Sequence, residues 1–315
     1  MKKTAFLFPG QGSQSVGMGQ DLYQEYDGVR ELFDMAEDVT KAHLARLCFK
    51  GPMEELTRTE VLQPALTVVN LAVLFVLQQE KILPDVCAGH SLGEYGALCA
   101  AGIVSKEDCM SLVFHRGRLM HRESEKYKGA MSAVIGLTFD QIMEELKTVK
   151  PSGPGKGVTI ANHNAETQIV ISGDVDSVKA LGEKLKAKGG RIMPLKVSGA
   201  WHSPLVQGAE QEFKEYLDAF TFSAPARPVV FNVSAQTEND PARIRENMLN
   251  QLCSPVKWYD SIGKILEDGV ENLVEVGPGN VLSGLNKRIV PEGFEGKIYT
   301  VNSMKSLELF FKDGI

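Results

Sequence analysis

The sequence predicts an α/β fold: an α/β-hydrolase-like large domain on a parallel sheet, with a small ferredoxin-like subdomain inserted into it. Three observations predict it. Short apolar runs alternate with helix-length segments, the pattern of a parallel sheet covered by helices. A β-α-β-β-α-β order, the ferredoxin-like pattern, fills the middle of the chain. A Gly-x-Ser-x-Gly run sits between one apolar strand and the helix that follows it. The expected division is 1–126 with 198–315 for the large catalytic domain and 127–197 for the insert.

The elements follow in order. Residues 4–8 read as a buried first strand; the loop Pro9-Gly10-Gln11-Gly12-Ser13-Gln14 comes after it, and a helix later. A long apolar helix covers 64–79, and Pro84-Asp85 breaks the chain before a short strand at 86–88. A helix at 94–101 follows, with Gly102 placed to end it, and another runs over 106–121. In the insert, 131–135 reads as a strand and 139–149 as a helix. Strands at 158–161 and 168–171 are joined by a polar turn at 162–166; a helix at 175–188 and a last strand at 191–197 complete the unit. The Pro-Ser-Gly-Pro-Gly stretch at 151–155 reads as a flexible loop. The large domain resumes with helices at 207–220 and 242–252 and a strand at 271–276, which Gly277-Pro278-Gly279 breaks sharply before another helix.

Composition bounds the function. With 315 residues, 43% hydrophobic and 23% charged, the chain can bury a substantial core and keep a deep cleft. A net charge of −6 argues against nucleic acid as the main partner. The five cysteines form no CxxC pair, so they read as reduced thiols of a cytosolic protein rather than a zinc site. The apolar run at 5–8 is too short for a signal-peptide core, and the longest uninterrupted one, 71–77, is too short to span a bilayer. A cytoplasmic protein without a membrane partner is expected.

The chemistry starts at Gly89-His90-Ser91-Leu92-Gly93. A strand before it and a helix after it are what a nucleophile elbow requires, so Ser91 is the candidate nucleophile. The Leu92 N–H points toward the same space and can stabilise an oxyanion. A second donor can come from the glycine-flanked loop at Gln11. That loop does not fit a phosphate cradle, because the third glycine would fall at Ser15; a plain turn is the other reading. Of six histidines, His202 sits at the boundary between insert and large domain, where clefts form, and is favoured modestly over His163 as the base. Arg116 shares a helix face with Leu112 and Leu119. A buried arginine there is either paired inside the protein or waiting for an anionic substrate.

These residues together resemble the malonyl-CoA:acyl carrier protein transacylase family over nearly the whole chain. The resemblance rests on Phe8-Pro9-Gly10-Gln11-Gly12-Ser13-Gln14, Gly89-His90-Ser91-Leu92-Gly93-Glu94, Arg116-Gly117, Gln168-Ile169-Val170-Ile171-Ser172-Gly173, Trp201-His202-Ser203 and Glu275-Val276-Gly277-Pro278-Gly279. It implies that Ser91 is the acylated nucleophile and His202 its base, and that the N–H groups of Gln11 and Leu92 form the oxyanion hole. It implies that Arg116 binds the malonyl carboxylate and that the main-chain carbonyl of Gln251 orients His202. It implies ping-pong transfer from malonyl-CoA, releasing coenzyme A, to the phosphopantetheine thiol of an acyl carrier protein in fatty acid biosynthesis. It implies a monomer and no metal or bound cofactor, malonyl-CoA being a substrate. The alternatives are a trans-acting acyltransferase of a polyketide pathway and a serine thioesterase or hydrolase. Relatives often carry Phe where this chain has Trp201. For the acidic carrier, the stretch 176–191 offers Lys179, Lys184, Lys186, Lys188 and Arg191 against Asp176 and Glu183, a docking face or simply a solvated helix.

Overall fold

The computed structural model describes residues 2–149, 151 and 156–313; the expected loop at 151–155 lies, Pro151 apart, outside the described residues. In chain order the strands are β1 (Thr4–Phe8), β2 (Val86–Gly89), β3 (Gly129–Ile135), β4 (Val158–Ala165), β5 (Gln168–Asp174), β6 (Arg191–Pro194), β7 (Val229–Val230), β8 (Asn272–Val276) and β9 (Lys297–Val301). They make a parallel sheet in the order β7-β2-β1-β8-β9 and an antiparallel sheet in the order β4-β5-β3-β6.

β1 lies at the centre of the parallel sheet, paired with β2 and β8. All five of its residues are buried, as a middle strand with helices on both faces requires. Its side chains alternate between two cores. Phe6 and Phe8 enter the larger one, while Ala5 and Leu7 pack on the other face with Trp258 and Ile262.

The larger core is filled by the helix Thr59–Gln79, which runs through Pro64 instead of starting there. By length and composition this helix could cross a membrane, yet 83% of its most apolar window is buried inside the protein. It is hydrophobic nearly all round because it is surrounded, and Thr59, Gln63, Thr67 and Asn70 are the buried polar residues within it. The helix Lys106–Lys126 packs beside it. Ser105 caps that helix by accepting from the Asp108 N–H at 3.0 Å, and its buried face extends it beyond the expected end at residue 121.

The antiparallel sheet has ferredoxin-like order and a core of its own, with Val134, Ile142, Ile160, Ile171, Leu181 and Leu185. Two expectations need correction. The turn expected at 162–166 is confined to Glu166 and Thr167: β4 runs to Ala165, with irregularities between Ile160 and Asn162 and between His163 and Ala165. Its polar residues make tertiary contacts. Asn164 Oδ1 lies 2.8 Å from His90 Nε2, the His163 N–H donates to the Val256 carbonyl at 2.9 Å, and the Val256 N–H donates to the Ala161 carbonyl at 2.8 Å. β6 stops at Pro194, short of residue 197, with one further backbone bond from the Leu195 N–H to the Met131 carbonyl at 2.9 Å. The sequence reading also leaves out β7 and β9, and where it expects one helix after the first loop the chain has Gln20–Glu25, Asp27–Thr40 and Leu44–Lys50.

Candidate active site

The site is built where β2 meets the helix Gly93–Ala100. Ser91 sits between them with φ 51°, left-handed for a residue with a Cβ. Such backbone costs roughly 1–3 kcal/mol and persists only when its surroundings enforce it. The flanking glycines show that enforcement. A Cβ on Gly89 would lie 2.0 Å from the Gly93 carbonyl carbon, and one on Gly93 would lie 1.9 Å from the Phe8 carbonyl oxygen. Asn232, two residues beyond β7, clamps the turn. It accepts from the Ser91 N–H at 2.7 Å and donates to the Gly89 carbonyl at 2.6 Å.

His202 reaches this serine from the far side of the insert, itself left-handed at φ 56°. Its Nε2 is 2.7 Å from Ser91 Oγ, and its Nδ1 is 2.9 Å from the Gln251 carbonyl oxygen. A carbonyl only accepts, so Nδ1 carries the proton and Nε2 offers its lone pair to the hydroxyl. Burial, helped by the nearby Arg116 charge, pushes the imidazole down to about 3. The base is therefore neutral at ordinary pH. The rival His163 stacks between Phe139 and Tyr259, with ring centroids 5.1 and 4.9 Å away, and His90 turns to Asn164.

Arg116 is fully buried against the same serine. It donates to Gln63 Oε1 at 2.7 Å, to Gln251 Oε1 at 3.0 Å and to Ser91 Oγ at 3.2 Å, and its Nε has no partner. Its guanidinium carbon lies 5.7 Å from the centre of the Tyr95 ring. All these hydrogen-bond partners are neutral, and among the described residues Arg116 forms no ion pair. The internal salt bridge left open by the sequence is not what this arginine has.

The loop at Gln11 lies against the elbow. A Cβ on Gly10 would be 2.4 Å from the His90 carbonyl oxygen and 3.6 Å from the Leu92 nitrogen. Asn70 fixes this loop by donating to the Pro9 carbonyl at 3.0 Å. Among the described residues, neither the Gln11 nor the Leu92 N–H donates to a protein acceptor.

Sequence reasoning missed Glu94, Asn232 and Gln63. Glu94 is 1% exposed; one oxygen accepts from the Asn232 N–H at 2.7 Å and the other from the Gln251 amide. Burial pushes its carboxyl up to about 8, against the pull of those donors and of Arg116. The signal for Gln63 was in view, an amide inside an apolar helix where only a partner justifies it. On the proposed docking face, Lys188 pairs with Glu145 at 3.1 Å and Lys184 donates to Thr148 Oγ1 at 2.6 Å, while Lys179, Lys186 and Arg191 stay exposed.

A serine so placed can lose its proton to His202 and take up an acyl group; with this fold, that makes the chain an enzyme of acyl transfer. Comparison with known proteins narrows the class. The acyl transferase domain family matches residues 5–305. A malonyl CoA-acyl carrier protein transacylase of Bacillus subtilis is 43% identical over 92% of this chain and 91% of its own, and one of Staphylococcus aureus is 40% identical over 97% and 98%. The structure of an acyl carrier protein S-malonyltransferase from Vibrio cholerae superposes with a TM-score of 0.91 at 39% identity, covering 98% and 99% of the two chains. A malonyl-transacylase solved with its type II polyketide acyl-carrier protein superposes at 0.93 with 38% identity, covering 99% and 100%. The chain belongs to the acyl transferase family.

Proposed function

We propose that the protein transfers a malonyl group from malonyl-CoA to the phosphopantetheine thiol of an acyl carrier protein, in fatty acid biosynthesis. One observation carries the anionic acyl group: a fully buried guanidinium, without an ion-pair partner among the described residues, 3.2 Å from the serine hydroxyl.

In the first half-reaction His202 Nε2 takes the Ser91 proton as Oγ attacks the thioester carbonyl. Negative charge gathers on the carbonyl oxygen, where the Gln11 and Leu92 N–H groups receive it; a single donor of this kind is worth about 10²–10³ in rate. The C–S bond breaks, His202 returns the proton to sulfur, and coenzyme A leaves malonyl on Ser91. Arg116 holds the free carboxylate. In the second half the carrier thiol gives its proton to His202 and attacks the ester, and Ser91 recovers the proton. Gln251 holds the imidazole through a carbonyl instead of a carboxylate, which makes His202 a weak base. That favours a thiol, which ionises at about 8.5, over water, near 15.7.

The division into 1–126 with 198–315, and 127–197 as an insert, goes with this reading, since the insert then supplies the second wall of the cleft. The enzyme works as a cytoplasmic monomer and takes malonyl-CoA as a substrate, not a cofactor. Intact-mass measurement after adding malonyl-CoA tests the reading. A malonyl adduct on Ser91, discharged by holo-carrier and not by water, is expected. Rapid hydrolysis, or no adduct, would overturn it.

A further inference from the structure

Gln251 is the junction of the site. Its main-chain oxygen accepts from His202, its Oε1 accepts from Arg116, and its Nε2 donates to the Ser91 carbonyl at 2.9 Å and to Glu94. Arginine can only donate, and both Glu94 oxygens lie on N–H groups, so each serves as an acceptor. The amide is thus held one way round, with oxygen toward Arg116 and nitrogen toward Glu94. The second Glu94 oxygen is on the Asn232 N–H, and Asn232 is the clamp of the elbow.

We propose that Glu94 is a positioning residue for acyl transfer: its carboxylate ties the elbow clamp Asn232 to Gln251, and so keeps the His202-orienting carbonyl and the Arg116-bearing amide in register with Ser91. This rests on the reading of Ser91 and His202 as the reacting pair. Glu94 touches neither of them through its side chain. It acts through two neutral amide groups and does not occupy the guanidinium. An acid in the first turn of a helix also favours that helix electrostatically, so a merely structural role is the competing account.

Glu94→Gln separates the two accounts. The new amide has one oxygen for two N–H neighbours and sets its own NH2 against the other. Acylation of Ser91 is expected to slow by about tenfold to a hundredfold with both malonyl-CoA and acetyl-CoA, in kcat more than in KM. In the double variant Glu94→Gln, Gln251→Glu, donor and acceptor match again between the two side chains, but a carboxylate now meets Arg116 and the Ser91 carbonyl loses its Nε2 donor, so any recovery is partial. Acetyl transfer should recover in part and malonyl transfer should not. The hydrogen-bonded Nδ1–H proton signal of His202 should shift or broaden in Glu94→Gln and return in the double variant. A merely structural role predicts a loss that follows the variant's unfolding, an unmoved Nδ1–H signal in the folded variant, and no rescue. Where Glu94→Gln does not fold, Glu94→Asp, which keeps the carboxyl group but loses reach, carries the same expected slowing. Wild-type acylation rates in the folded variant, or a slow variant that the second substitution does not rescue for acetyl, would overturn the proposal. If the unaltered enzyme forms no adduct on Ser91, the reading of the site fails instead, and the His202 signal still reports on Glu94.

Discussion

Replacing Arg116 with alanine should separate malonyl from acetyl transfer. A guanidinium fork offers a carboxylate two N–H···O bonds, each with a charge on both sides. At roughly 1.5–3 kcal/mol per bond to a charged group, losing both removes about 3–6 kcal/mol. That is about 10²–10⁴ in kcat/KM for malonyl-CoA. Acetyl-CoA has no carboxylate. It loses only the 3.2 Å contact to Ser91 Oγ, and Arg116 is also the second cause of the low His202 basicity. Acetyl transfer should therefore stay within about tenfold of the unaltered rate, or rise. The variant leaves Gln63 Oε1 and Gln251 Oε1 without their donor, so an Arg116→Met variant, which keeps the bulk, controls for packing. The assay is kcat/KM for each thioester, with intact mass reporting the Ser91 adduct. Equal fractional loss for both acyl groups would refute the carboxylate role.

Other outcomes follow from the same geometry. Gly93→Ala forces a Cβ to 1.9 Å from the Phe8 carbonyl oxygen and 2.9 Å from that of Pro9; it should cost at least about 1–3 kcal/mol in urea unfolding and slow acylation by shifting the Gln11 loop. His202 has its folded value lowered from 6.5 to about 3, so the unfolded chain binds a proton over that interval and the folded one does not. Stability from this group is complete above about 6.5 and falls by roughly 1.4 kcal/mol per unit as pH drops toward 3. The acid limb of the acylation pH profile should accordingly lie well below 6.5, and a limb near 6.5 would contradict a buried neutral base. Reversing Lys179 and Lys186 to glutamate should leave acylation by malonyl-CoA intact and slow transfer to an acidic carrier, with a weaker dependence on salt; unchanged transfer kinetics at low ionic strength would remove this face from consideration.

The layout of the fold was legible where the sequence carries period and punctuation together. The run at Thr4–Phe8, the elbow, and the β-α-β-β-α-β order all have both. β7 escaped because two residues have no period, and β9 because it is a half-exposed edge strand rather than a continuous apolar run. The stretch from Asn162 to Ala165 was misread because Asn and His favour turns when nothing else is known. Here their side chains and N–H groups have partners some 74 to 93 residues away in the chain. The site divides in the same way. Ser91 and its glycines are marked by local geometry. Asn232 and Glu94 are marked by nothing local, since they work by meeting each other across 138 residues of chain. That the imidazole is held by a main-chain carbonyl is invisible in principle to residue types, because every residue at position 251 would supply one.

The backbone pairing of β4 with Val256 bears on how such enzymes are recombined. The insert joins the rest of the chain covalently at two points, but it is also stitched along its edge strand to the segment that follows Gln251. Two backbone hydrogen bonds therefore couple β4 to the chain just after Gln251. Anyone exchanging the insert between homologues to change the carrier it serves should move residues 252–256 and Asn164's partner His90 as one cassette with it. A graft cut at the covalent joints alone would carry a foreign seam beside the histidine-holding carbonyl, and its activity would report that mismatch before it reported carrier choice.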